Sequence, residues 1–253
     1  MGESAEENVR MAYSPAPMLN PANIRAISLD LDDTLWPIWP TIARAEAVLL
    51  AWLQTNAAQT AALYTSPEAL RAIRNQLEKD RPDLAHDLSA LRRESIRLAL
   101  KTAGDHEHLA EPAFEVFFAE RMRVELYDDA RPALAFLSAR YPLVAVSNGN
   151  ADVQRVGLGN YFKGALSARE FGVPKPDARI FHAAADLTGF APEQVLHVGD
   201  DALLDVVGAT DAGLQAAWLN RSGQTWGHGL PPHATVASLT ELCLLLGVAD
   251  GAS

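Results

Sequence analysis

Hydrophobic residues fall into short unbroken runs in two stretches of the chain and recur at helical spacing in the stretch between them. Ile24 to Leu29 is an apolar, β-rich run that stops at Asp30, the pattern of a strand buried on both faces whose exit opens on a crevice. Comparable runs follow much later at Pro142–Val146, Val195–Val198 and Leu214–Leu219, each after a helical pattern. That alternation predicts βαβ units and a parallel sheet. Between the later runs, residues 177–187 place Ile180, Phe181, Ala184 and Leu187 on one helical face and stop at Gly189, and residues 202–212 read as a second helix stopping at Gly213. A last helix is predicted from a capping box, Ser238 with Glu241 three residues on, to Gly247.

Residues 36–126 break this rhythm. They read as successive helices over 41–55, 67–79, 86–103 and 111–124 with no strand-like run between them. The division that follows is a loose tail over 1–22, an α/β core over 23–36 and 127–250, and a helical insertion over 37–126. Charges in the insertion recur at helical spacing, so a solvated face is the expectation for most of them. Arg92, Arg93 and Arg97 are the candidates within it for contact with a phosphate or an electron-rich ring, should the insertion cover a site.

Composition narrows the function. The 253 residues are 49% hydrophobic, enough for a full core, and carry a net charge of −11. There is no basic block or basic-aromatic stripe, so a nucleic-acid surface is not expected. No apolar stretch reaches the ~18 residues of a membrane span, and the N-terminus lacks the layout of a signal peptide, so a cytoplasmic protein without a membrane partner is expected. A monomer or homodimer is expected. The single cysteine, Cys243, lies in an apolar run and reads as a buried core thiol.

Candidate chemistry sits at the ends of the predicted strands. Asp30-Leu31-Asp32-Asp33-Thr34, Ser147-Asn148, Lys175 and Gly199-Asp200-Asp201-Ala202-Leu203-Leu204-Asp205 follow one another in that order. Residues two apart in an extended segment point the same way, so Asp30 and Asp32 face one cavity. Two carboxylates ~4 Å apart repel by on the order of 4 kcal/mol at an effective dielectric of ~20. Asp200 and Asp205 add to that repulsion, and a divalent cation removes it. Oxygen-only ligands favour Mg²⁺, held by Asp30, Asp32, Asp200 and Asp205. One aspartate is then free as a nucleophile and a second as acid and base. Lys175, the Ser147 hydroxyl and the turn that starts at Asn148 supply donors for phosphate oxygens.

These four segments resemble the conserved segments of the haloacid dehalogenase superfamily, and of its phosphatases in particular, over about residues 24–245. The resemblance implies a Rossmann-like parallel sheet, an all-helical cap inserted after the first strand, and Mg²⁺ as cofactor. It implies Asp30 as nucleophile, Asp32 as acid/base, Ser147 and Lys175 as phosphate ligands, Asp200 as metal ligand and Asp205 as a water-mediated or supporting one. Trp36 to Trp39, His86-Asp87, Tyr141 to Tyr161 and His197 to Asp201 are similar to the bacterial branch acting on flavin mononucleotide and on a phosphorylated ribitylaminouracil. Ser147 stands where that branch commonly carries Thr and keeps the hydroxyl. The resemblance thus implies a small-molecule phosphate ester as substrate.

Other functions are disfavoured by particular features. A dehalogenase of the superfamily lacks a carboxylate at the position of Asp32, because halide needs no proton. A receiver domain is about half this length, a transport ATPase needs membrane spans, and no G-x-G-x-x-G follows a strand as a dinucleotide-binding oxidoreductase requires. A phosphomutase of the same superfamily remains open, as does a catalytically silent phospho-ligand-binding protein.

Overall fold

The computed structural model describes residues 18–247. Strand β1 (Ala26–Leu29) runs into the turn that carries Asp30 to Thr34, and the chain then enters five helices: α1 (Ile38–Asn56), α2 (Ala58–Leu63), α3 (Pro67–Asp80), α4 (Leu88–Ala103) and α5 (Ala110–Arg121). It returns through α6 (Ala130–Ser138), β2 (Leu143–Ser147), β3 (Gly164–Ser167), α7 (Ala168–Phe171), α8 (Ala178–Thr188) and β4 (Val195–Gly199). After β4 come a π-helical turn (Ala202–Val207), α9 (Gly208–Asp211), β5 (Gln215–Leu219), β6 (Ala234–Val236) and α10 (Leu239–Gly247).

All six strands are parallel, in the order β3-β2-β1-β4-β5-β6. Connections run from β1 outward to β3 and then cross back to β4 on the other side of β1, which is the Rossmann-like switch of direction. At such a switch the strand ends leave a crevice where ligands bind. Here the three strands around it deliver Asp30, Ser147 and Asp200.

Burial on both sheet faces explains why the strands read as unbroken apolar runs. Ile27, Leu29, Leu143, Ala145, Leu196 and Val198 pack on one side against Leu134, Leu137 and Leu242 of α6 and α10. Their alternates Ala26, Val144, Val146 and Val195 pack on the other against Ile180, Phe181 and Ala184 of α8. The five helices after β1 close a separate core around Leu49, Leu53, Leu70, Ile96, Leu100, Phe114 and Phe117.

Several expectations change. Residues 202–212 are not one α-helix: both the Asp205 and the Val206 amides reach back to the Asp201 carbonyl, at 3.0 and 3.3 Å, which opens the first turn into a π-helix. The cause is Asp205, drawn inward to two buried side chains, Lys175 and His197. Strands β3 and β6 were not anticipated, because three or four partly exposed edge residues make no apolar run. Residues 1–17 of the expected tail lie outside the described residues. From Leu19 the chain is tied down, its amide donating to the His233 carbonyl at 2.8 Å and that of Asn20 to Gln215 Oε1 at 2.8 Å. Cys243 is half-buried rather than fully buried, and burial pushes its thiol up to about 11.

Candidate active site

The turn after β1 sets the geometry. Asp33 has φ +57°, a left-handed conformation that an aspartate tolerates better than most residues, and its Oδ1 accepts from the Ile38 amide at 3.0 Å at the start of α1. Asp30, at the β1 end, is 7% exposed. Lys175 is 3% exposed, and its Nζ donates to Asp30 Oδ1 and to Asp205 Oδ1 at 2.5 Å each. Asn148 clasps the backbone of that lysine, its Nδ2 donating to the Lys175 carbonyl at 2.9 Å and its Oδ1 accepting from the Lys175 amide at 2.7 Å. The Asn148 amide, expected among the substrate-binding groups, is therefore engaged in splinting Lys175.

A second aspartate is held from behind. Asp205 is 1% exposed; its Oδ1 also meets His197 Nε2 at 3.2 Å and its Oδ2 accepts from the Asp201 amide at 3.0 Å. His197 Nδ1 in turn meets Ser28 Oγ at 2.8 Å, so two neighbouring strands anchor the chain of contacts. Gly199 is required here, since a Cβ would lie 2.2 Å from the Asp205 carboxyl carbon. Asp200 accepts from Thr34 Oγ1 at 3.1 Å, and Trp218 Nε1 donates to its carbonyl at 2.8 Å.

The charges show what this arrangement lacks. Burial lowers the proton affinity of Lys175, but Asp205 and Asp30 outweigh it and hold the ammonium well above its ordinary range. Burial pushes Asp205 up, and Lys175 and His197 overcome that to leave it well below the carboxylate range. Burial holds the His197 imidazole below its ordinary range, against the pull of Asp205. Asp30 is pushed well up by burial against Lys175, with Asp205 and Asp200 adding to the rise. Asp200 is pushed up to about 7 by burial and by Asp205 and Asp33. One lysine is too little positive charge for three carboxylates. Single oxygens of Asp30, Asp200 and Asp205 lie within 4.8 Å of one another, and this hard, under-neutralised oxygen set fits a cation such as Mg²⁺.

Asp32 departs from the expected metal set. Its Oδ1 accepts from Trp36 Nε1 at 2.8 Å, and Arg121 Nη2 donates to Oδ1 and Oδ2 at 2.7 and 2.8 Å. Those donors turn the carboxylate away from the other three and toward the helical lobe. Ser147, 3% exposed at the end of β2, accepts from the Gly149 amide at 2.9 Å. Gly149 lets Asp32 come close: a Cβ there would stand 2.3 Å from Asp32 Oδ2 and 3.1 Å from Ser147 Oγ.

Over Asp32 lies a cavity of about 270 Å³ between lobe and sheet, walled by Trp39, Ile42, Phe117, Arg71, Arg92 and Gly149 among others. Glu46, 1% exposed, takes Arg71 and, at 3.1 Å, Arg92. Arg92 stacks 4.5 Å over Phe117, is itself buried and lines the cavity, so of the three arginines singled out it is the one that the fold brings to the site. Arg93 pairs with Glu111 and Arg97 with Glu94, away from the cavity. Arg121, Trp36, Thr34, His197 and Glu46 were not anticipated as site residues. Thr34 and His197 stand inside the quoted segments, whereas Arg121 and Glu46 look like any helical charge.

A family model for haloacid dehalogenase-like hydrolases matches residues 24–213. The 5-amino-6-(5-phospho-D-ribitylamino)uracil phosphatase of Escherichia coli (strain K12) is 33% identical over 231 residues, 88% of this chain and 96% of that protein. The phosphoserine phosphatase of Thermus thermophilus is 37% identical over 59% of this chain and 62% of its own. Among solved structures, a 2-haloacid dehalogenase from Pseudomonas syringae pv. Tomato superposes with a TM-score of 0.81 at 36% identity, covering 89% of this chain and 99% of that one.

Proposed function

Because this chain belongs to the haloacid dehalogenase-like hydrolases and is an enzyme of that class, we propose that it hydrolyses small phosphate monoesters through a phosphoaspartate on Asp30. The observation that carries the reading is the pairing of two differently held carboxylates: Asp30, locked on Lys175 inside the acidic group, and Asp32, held apart beside Ser147 and Gly149. Different surroundings for two acids are what a nucleophile and a proton carrier require.

Lys175 orients Asp30 and lends positive charge to the phosphate oxygens, and the Ser147 hydroxyl and the amides of the following turn give them hydrogen bonds. Asp30 attacks phosphorus while Asp32 hands a proton to the departing ester oxygen. Asp32 then takes a proton from the water that splits the phosphoaspartate, which restores both side chains. Magnesium, held by Asp30 and Asp200 with Asp205 in support, would supply charge neutralisation for the phosphate and the carboxylates. Asp205 is the least available of the three, since both of its oxygens already accept from the protein.

For the substrate, the relative over nearly the whole chain supports a riboflavin-pathway ester. The cavity of about 270 Å³ over Asp32 and one of about 410 Å³ lined by Ser147 give room for a small metabolite of that class. The dehalogenase-named structural neighbour supports a second reading, carbon–halogen hydrolysis. Asp32 weighs against it, since a halide leaves without a proton.

The test is product release from a panel of the ribitylaminouracil phosphate, flavin mononucleotide, sugar phosphates, nucleotides and 2-chloropropionate, with Mg²⁺ and with chelator. Mg²⁺-dependent phosphate release led by the ribitylaminouracil ester is the expected outcome. Chloride release without phosphate release overturns the reading.

A further inference from the structure

We propose that Arg121 is a positioning residue that presents one defined oxygen of Asp32 to the leaving group; the inference rests on the phosphomonoesterase reading above. Arg121 is the last residue of α5 and belongs to the helical lobe, whereas Asp32 follows β1, so their contact joins the lobe to the strand-end site. The arginine is 1% exposed, and its Nη2 spans both carboxylate oxygens. With Trp36 added, Oδ1 accepts two hydrogen bonds and Oδ2 one. The less occupied oxygen, Oδ2, is the one beside Gly149 and the Ser147 hydroxyl. A carboxyl rotated in this way puts the proton on Oδ2 and the anchoring donors on Oδ1.

The chemistry of the step explains the need for a cation there. As the phosphorus–oxygen bond of the ester breaks and the Asp30–phosphorus bond forms, the proton on Asp32 Oδ2 passes to the alcohol oxygen and the electron pair stays on the carboxylate. Negative charge therefore grows on Asp32 in the transition state. Donors already aimed at it stabilise that charge without reorganisation. In the second half-reaction Oδ2 takes the proton of the attacking water as phosphate leaves Asp30.

Two further observations separate Arg121 from an ordinary structural ion pair. Its Nη1 is buried and has no hydrogen-bond partner, while the residue lines the cavity between lobe and sheet. Native proteins rarely leave a buried guanidinium donor unmet, and here the placement that carries Nη2 across both Asp32 oxygens leaves Nη1 so. The other buried arginine of the lobe, Arg92, meets a carboxylate of the lobe itself, Glu46, whereas the carboxylate that Arg121 meets belongs to the site.

The test compares wild type, Arg121→Met, Arg121→Lys, Asp32→Asn and the Arg121→Met/Asp32→Asn double variant on p-nitrophenyl phosphate and on glycerol phosphate, with circular dichroism to check folding. On glycerol phosphate, Arg121→Met should lower kcat by about 10²-fold with KM changed much less. Its loss on the activated aryl ester should be at least about tenfold smaller, because that leaving group needs little protonation. Arg121→Lys, which keeps the charge and the fold but not the fork, should fall between. On glycerol phosphate the double variant should be no slower than Asp32→Asn, the non-additivity of two residues acting as one. Equal losses on the two esters for both Arg121 variants, or additive losses in the double variant, overturn the role of Arg121 and leave the phosphatase reading standing. No phosphate release by wild type from either ester or from the metabolite panel overturns both.

Discussion

Asp30 and Asp32 are the same residue type two positions apart, and folding gives them different neighbours. Asp30 faces Lys175 at 2.5 Å, and Asp32 faces Arg121 and Trp36. Asp30→Asn preserves the shape but offers a far poorer nucleophile. Phosphate release should disappear while the circular dichroism spectrum stays that of the wild type. Gly149→Ala probes the other aspartate, since its Cβ would stand 2.3 Å from Asp32 Oδ2. Displacing that carboxyl should lower kcat on alkyl phosphates by about 10²-fold, measured beside an aryl phosphate that should lose less. The two aspartates, Ser147 and Lys175 were legible in the sequence because each stands at the end of an apolar run or in a short distinctive segment. Arg121 was not, because nothing local distinguishes a charge on a helix that meets a site from one that meets water.

At the level of elements, the helical lobe is held by buried charge as well as by its apolar core. Glu46 of α1 joins Arg71 of α3 and Arg92 of α4, with the carboxylate and Arg92 both out of water. Glu46→Ala would leave Arg92 buried without its counter-ion, a change that costs about 3 kcal/mol or more. The thermal midpoint should fall by several degrees, and reduced turnover should accompany it, because both arginines line the cavity. A midpoint equal to that of wild type would show that the triad contributes nothing. The helices themselves were readable from spacing and, for α10, from its capping box, where Glu241 donates its amide to Ser238 Oγ at 3.1 Å. The π-turn after β4 was not readable, because the extra residue in its first turn exists to bring Asp205 onto Lys175 and His197, partners 30 and 8 positions away.

For the whole molecule, the site stores unfavourable charge of a kind that a bound cation would relieve. The proton affinity of Asp200 is raised to about 7 from an ordinary 3.8, so the folded state binds more protons than the unfolded one between those values. Its contribution to stability is full below about pH 4 and is lost as pH rises through about 7. Asp30 shifts in the same direction, and Asp205, held low, acts only at more acid pH. His197, held low by burial, works the other way below its ordinary 6.5, so without metal the thermal midpoint should drop between about pH 6.5 and about pH 8. Added Mg²⁺ should restore it strongly at the upper end and weakly at the lower, where it competes with the proton on Asp200. A Mg²⁺ effect independent of pH would exclude Asp200 from the metal site. By itself the sequence determined the parallel sheet, the helical insertion and the strand-end residues, because burial and helical periodicity are written locally in residue type and spacing. Only the tertiary structure decided that Asp32 turns from the acidic group to Arg121, that Asn148 splints Lys175, and that Glu46 and Arg92 are buried. Each depends on contacts between segments 27 to 89 positions apart, and the direction in which a polar side chain turns is settled by the partner that folding brings to it.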